Sequence, residues 1–190
     1  MGKLYEEIDQ EVKAFIEAQQ MFVVATAPLD GAGHVNVSPK GLDTFRVLSS
    51  RKVAYLDHVG SGAETIAHLR ENGRIVVMVC AFQGAPKIMR FYGRGEVFEP
   101  QDVEFRRLRP LFPDLPSGRA IITIAIERIA DSCGFGVPLY QYERQRSQLM
   151  DWAGRIGEDG LRTYQIKRNA RSIDGLPAVG WTRQPDAIKT

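Results

Sequence analysis

AYLDHVGSGAETIAHLRENGRIVVMV, residues 54–79, is the stretch on which the fold turns. An apolar run gives a strand, Gly60-Ser61-Gly62 a turn, and Ala63 to about Glu71 a helix that stops at Asn72-Gly73 before the chain returns to a strand. Upstream, the β-branched run Met21 to Ala27 is closed by Pro28 and a turn-rich LDGAG. His34 to Ser38 then alternates polar and apolar, so the two segments predict a hairpin followed by a Pro39-Lys40-Gly41 turn. Phe45 to Leu48 and Val53 to Leu56 predict a second strand pair. Downstream, Arg74 to Phe82 and Lys87 to Phe98 flank the Gly84-Ala85-Pro86 turn, and Gly118 to Ala130 is the last long strand. Six or seven strands, mostly in hairpins with one inserted helix, do not alternate βαβα. The order predicts a mainly β chain with peripheral helices (α+β), an antiparallel barrel or rolled sheet, over a doubly wound sheet.

The flanks are helical. Leu4, Ile8, Val12, Phe15 and Ile16 recur at helical spacing and predict a docked amphipathic helix from Leu4 to about Gln20. Gln101 to Arg109 reads as a short helix stopped by Pro110, and two helices follow Ser132, over Tyr142 to Ile156 and Glu158 to about Arg171. The expected organisation is one domain over 1–190: an N-terminal helical segment (1–20), a barrel (21–130) and a helical C-terminal extension (131–190).

Composition narrows the function classes. The chain has 190 residues, 44% apolar and 25% charged, with 25 Lys and Arg against 23 Asp and Glu for a net charge of +2. Its pI is near 8.6 and its mean hydropathy −0.22. This is the composition of a globular domain, with no bulk charge to point to nucleic acid or an acidic membrane. Apolar runs such as Ile75 to Phe82 fall far short of the roughly 18 residues of a spanning helix. The acidic start MGKLYEEIDQEVKAF is unlike a signal peptide, and the two cysteines, Cys80 and Cys133, form no CxxC. A cytoplasmic protein is the expectation.

Chemistry is expected around the quoted stretch. Free amides at the helix start, the small Gly60 and Gly62, and the hydroxyls of Ser61 and Thr65 suit an anion; a tight turn with a helix cap is the plainer alternative. Lys40 can deliver a point charge to a phosphate, or be solvated in its turn. Arg90 and Arg94 share the polar parity of one strand and face an anionic ligand or, for Arg94, pair with Glu96 or Glu99. His34, His58 and His68 make no metal-binding spacing, and no G-x-S-x-G elbow occurs. Cys133 sits in a glycine-rich loop, and the basic Arg106, Arg107 and Arg109 are offset by Glu99, Asp102 and Glu104.

The order of a helix, an FVVATA strand, a GxxHVNVSPKG hairpin, a YLD strand, a GSGAET helix start, RIVVMV and KIMRFYGRGEVF resembles the pyridoxamine 5′-phosphate oxidase-like flavoproteins. The likeness spans about Glu17 to Phe98, and the tail motifs SCGFGVPLY and NARSIDGLP resemble a subgroup described only as related to the oxidase. It implies an FMN-binding split β-barrel and a homodimer with FMN at the subunit interface. Residue by residue, the family's strand-end lysine matches Lys40, the segment after its next strand matches Asp57-His58, and its phosphate-side serine matches Ser61. The cofactor-binding set expected is Ser38, Lys40, Asp57, His58, Gly60, Ser61, Gly62, Thr65, Arg90 and Trp181. Two basic positions of the family depart: Val35 stands five residues before Lys40, and Gly62-Ala63 follows Ser61. The oxidase also uses a C-terminal Arg-x-His pair on its substrate's phosphate, whereas no histidine follows His68 here, so pyridoxamine phosphate is not the expected substrate. Tyr140, Trp152, Asn169 and Trp181 are the tail groups available to rim a flavin or to anchor the tail. An oxidoreductase acting on a small molecule is the first expectation; a non-catalytic FMN module, or a split barrel holding F420 or haem, is the alternative.

Overall fold

The computed structural model describes residues 2–182. Eight strands form one antiparallel sheet: β1 (Leu4–Tyr5), β2 (Phe22–Thr26), β3 (Asn36–Lys40), β4 (Phe45–Ser49), β5 (Lys52–His58), β6 (Arg74–Cys80), β7 (Ile88–Phe98) and β8 (Gly118–Ser132). Their order is β3-β2-β6-β7-β8-β5-β4, with β1 added to β8. Among the described residues four α-helices accompany them: α1 (Gln10–Glu17), α2 (Glu64–Asn72), α3 (Val103–Leu108) and α4 (Gln148–Arg168). The expected mainly β, antiparallel architecture with a helical tail is what the chain adopts.

The period-2 pattern of each strand divides two cores. Val53 and Tyr55 of β5 and Ile122 and Ile124 of β8 face inward with Phe22, Val77 and Phe91. Ala54, Leu56 and Ile121 face outward and are covered by Phe105, Leu108 and Phe112 of and after α3. Burying such side chains contributes roughly 1.5–3 kcal/mol each. At the β7–β8 register shift after Tyr92, a Cβ on Gly93 would collide with the Ala125 carbonyl, so the close approach there demands glycine.

Several boundaries differ from the sequence reading. Leu4 and Tyr5 pair with Ala130 and Ile129 as a strand, and Leu4 is 57% exposed. The helix begins only where Asp9 caps it, accepting from the Val12 N–H at 2.8 Å. Pro39 and Lys40 belong to β3; this strand is at the sheet edge, where a missing N–H costs no ladder bond. Residues 133–147 contain no helix, so the tail helix starts at Gln148 instead of Tyr142. Its expected division after Ile156 is present: Gly157 has φ +67° and breaks α4 into two segments. Arg94 pairs with Glu127 at 3.2 Å, not with Glu96 or Glu99, because β8 is its neighbour in the ladder.

Candidate functional site

The inner face of β3 carries Asn36, Ser38 and Lys40, which lie opposite the buried Thr26, Val24 and Phe22 of β2. Across from them, the loop after β5 brings up Gly60, Ser61 and Gly62, and the first turn of α2 brings Glu64 and Thr65. Together with His58, Arg119 and Ile173 these residues line a cleft of about 450 Å³.

Asp57 lies beneath the cleft with no solvent exposure and carries two cations. Lys40 Nζ is 2.6 Å from its Oδ1 and Arg119 Nε 2.8 Å from its Oδ2. Burial alone would raise the Asp57 pKa, but Arg119 and then Lys40 outweigh it and hold the carboxyl well below its usual range. Two cations on one carboxylate leave one net positive charge on the buried side of the cleft, while Glu64 stands at its rim. Lys40 is therefore a paired group and not a solvated turn lysine.

The Arg119 contact arises from a fold irregularity. Asp57 pairs with Ala120 but His58 pairs with Gly118, so Arg119 has no opposite number on β5. A bulge of this kind re-aims a side chain. Strict alternation would send Arg119 to the face opposite Ala120 and Ile122, and sequence reading therefore missed it. A cation one residue after the strand-opening Gly118 is the only signal the sequence offered.

A polar chain continues along the wall. Ser38 Oγ donates to Asn36 Oδ1 at 3.0 Å, and Asn36 Nδ2 donates to Thr65 Oγ1 at 2.9 Å. With an acceptor site occupied, the Thr65 hydroxyl keeps its proton for another partner. Thr26 Oγ1 lies 3.0 Å from Nδ1 of the buried His68, whose pKa burial lowers. His58 Nδ1 meets Ser117 Oγ at 2.8 Å, and its Nε2 is buried without a partner among the described residues. Burial is the main cause that lowers the His58 pKa to about 4, so the ring is neutral at neutral pH.

Of the ten expected residues, Ser38, Lys40, His58, Gly60, Ser61, Gly62 and Thr65 line the cleft and Asp57 lies under it. Arg90 and Trp181 do not join them. Arg90 shares a ladder row with Met78, Val23 and Pro39, so it projects from the outer face and donates to Ser132 Oγ at 3.0 Å. Trp181 packs on the main core with Arg162 5.0 Å above its ring, beside a different cleft along α4. Among the other tail groups, Tyr140 packs on Phe82 and Trp152 meets Tyr164 edge to face, whereas Asn169 is buried against the Gly60–Gly62 loop. No group of His, Cys, Asp and Glu among the described residues is arranged to hold a metal.

The family model described as pyridoxamine 5′-phosphate oxidase matches residues 8–133. A curated relative, the pyridoxamine 5′-phosphate oxidase family protein ustO of Aspergillus flavus, is 41% identical over 196 residues, covering 94% of this chain and 78% of its own length. The chain belongs to the pyridoxamine 5′-phosphate oxidase family. Solved structures share the fold of this family member: a HupZ variant from Group A Streptococcus (TM-score 0.52, 23% identity, 66% of this chain and 99% of that one). A pyridoxamine 5′-phosphate oxidase candidate from Lactobacillus delbrueckii superposes similarly (TM-score 0.50, 17% identity, 67% and 98%). The family segment ends at residue 133, so α4 and Asn169 lie outside it.

The residues present fit a flavin phosphate. The cations Lys40 and Arg119, hydroxyls on Ser61 and Thr65, an α2 start whose Ala63 cap has no side-chain bond, and an orphaned buried His58 Nε2 together provide charge and donors for a single anionic group, with Glu64 at the rim.

Proposed function

We propose that this family member binds FMN with the phosphate in the cleft between β3 and the Gly60–Gly62 loop, and that it is an oxidoreductase acting on a small organic molecule. The observation that carries the reading is the Lys40–Asp57–Arg119 arrangement, two cations on one sealed carboxylate facing a glycine-flanked loop. When bound, the flavin supplies hydride transfer chemistry. Lys40 and Arg119 hold the anionic end, Ser61 and Thr65 donate to it, and the neutral His58 offers Nε2 without adding charge.

The chain forms a homodimer in this reading. Its support is the outer sheet face, where Val37, Ala25, Val76 and Tyr92 form one continuous row across β3, β2, β6 and β7. Val37 is 65% exposed on the edge strand, a position that favours burial against a partner. In this reading the substrate is not pyridoxamine phosphate, because within residues 69–190 no histidine stands to match the Arg-x-His pair that the oxidase uses.

The test is the absorption spectrum of the purified full chain with added FMN, followed by stopped-flow mixing with NADH, NADPH and reduced F420 and by oxygen uptake with pyridoxamine phosphate. Bound-flavin bands, reduction by one donor and no turnover of pyridoxamine phosphate are expected. Bands without reduction by any donor would make the chain a flavin-binding module. A Soret band, or a protein that ignores FMN, overturns the reading.

A further inference from the structure

Asn169 caps the C-terminal end of α4 and is completely buried. Its backbone is fixed on both sides: its N–H donates to the Gln165 carbonyl at 2.7 Å, and its own carbonyl accepts from the Val179 N–H at 3.1 Å. The side chain reaches across the molecule. Nδ2 donates to the Gly60 carbonyl at 2.9 Å and approaches the Gly62 carbonyl at 3.4 Å, which also accepts from Arg119 Nη1 at 2.9 Å. The amide orientation is determined, because a flipped Asn169 would set its own oxygen against both carbonyls. Oδ1 is left buried with no partner among the described residues, a cost that folded proteins seldom bear at a site of no consequence.

The two pinned carbonyls have a consequence on the opposite side of the loop. In a trans peptide the C=O and the following N–H point in opposite directions, and the described residues include no cis bonds. Drawing the Gly60 and Gly62 carbonyls toward one buried amide turns the N–H groups of Ser61 and Ala63 away from it. Neither N–H meets an acceptor among the described residues; Ser61 lines the cleft, and Ala63 is a buried residue between the cleft-lining Gly62 and Glu64. Paired, unspent backbone donors of this kind form an anion cradle.

We infer that Asn169 is a positioning residue: from the tail, it holds the Gly60–Gly62 loop so that the Ser61 and Ala63 amides receive the phosphate of a phosphomonoester ligand. The inference rests on the FMN reading above and deepens it, since it gives the tail a part in phosphate recognition.

The test compares dissociation constants for FMN and riboflavin, read by quenching of flavin fluorescence on the full chain, for wild type and for Asn169→Asp, Asn169→Ala and Asn169→Gln. Riboflavin lacks only the phosphate. Wild type is expected to prefer FMN, and Asn169→Asp, which conserves volume but removes the donor, to lose at least tenfold of that preference while binding riboflavin within twofold of wild type. Asn169→Ala does the same, and Asn169→Gln, which retains a donor, recovers part of the ratio. Should alanine fail to fold, the near-isosteric Asp variant still decides. A ratio that stays at the wild-type value, with both ligands weakened equally or not at all, makes Asn169 a tail anchor and overturns the inference alone. Wild type that binds FMN no better than riboflavin overturns both the inference and the phosphate reading on which it rests.

Discussion

Arg119 Nε lies 2.8 Å from Asp57 Oδ2, and neither side chain has appreciable contact with solvent. Removing one partner of a buried pair leaves an uncompensated charge, which costs about 3–5 kcal/mol. Arg119→Met is therefore expected to lower unfolding stability by about that much in urea titration, although Lys40 still faces Asp57. The double variant Asp57→Asn, Arg119→Met recovers most of the loss. A cost under about 1 kcal/mol for the single variant would show that the pair behaves as an exposed one.

Of the two cations, Lys40 is the more exposed and can meet a ligand as well as Asp57. Lys40→Ala is expected to weaken FMN binding by about 1–3 kcal/mol, the range of a charge-assisted hydrogen bond. Titration calorimetry with FMN and riboflavin measures it. Equal affinity of the variant and wild type for FMN would remove Lys40 from the site.

The His58 pKa, lowered by burial to about 4, makes stability depend on pH. Between the ordinary histidine value of about 6.5 and 4, the unfolded chain binds a proton that the folded one refuses, so stability falls as the solution is acidified through that window. The loss is on the order of 3 kcal/mol, and it is complete below the folded value. Asp57 adds to it only at lower pH, because its folded carboxyl stays ionised below the unfolded carboxylate range and its contribution is lost progressively as pH falls from that range through the lower folded value. His58→Gln cannot titrate, so its urea midpoint should be flatter than that of wild type from pH 6.5 to 4. Parallel profiles would place His58 in contact with water.

The homodimer proposed above places its interface on the outer row of Val37, Ala25, Val76 and Tyr92. Val37→Glu, on an exposed edge position, is expected to leave the fold intact and convert the dimer to a monomer in sedimentation analysis. A wild-type chain that sediments as a monomer at micromolar concentration would contradict the assembly directly.

Much of the fold was legible because it is local. The β-branched run before Pro28, the alternation around Val35 and Val37, and the Asn72-Gly73 stop each reflect a preference that neighbouring residues set, and β2, β3 and α2 follow them. Gly73 sits at φ +71° at the end of α2, where the stop signal requires it. What escaped is non-local. Tyr5 becomes a strand residue only because β8 runs long enough to pair with it, and Arg119 turns inward only because the β5–β8 register slips by one residue. Arg90 was placed with the ligand on strand parity alone. Parity gives its face relative to Tyr92 but not which face is turned to the cleft, and the ladder through Met78 and Val23 turns it outward. Asn169 reaches Gly60 across 109 residues of chain, a contact that no periodicity encodes.

A crystal structure of the chain grown with FMN tests the central claim most directly. The account predicts the phosphate within hydrogen-bond distance of Lys40 and the Ser61 hydroxyl, with Asp57 still holding Lys40 and Arg119. A phosphate bound elsewhere, such as beside Trp181 and Arg162 in the cleft along α4, would contradict it.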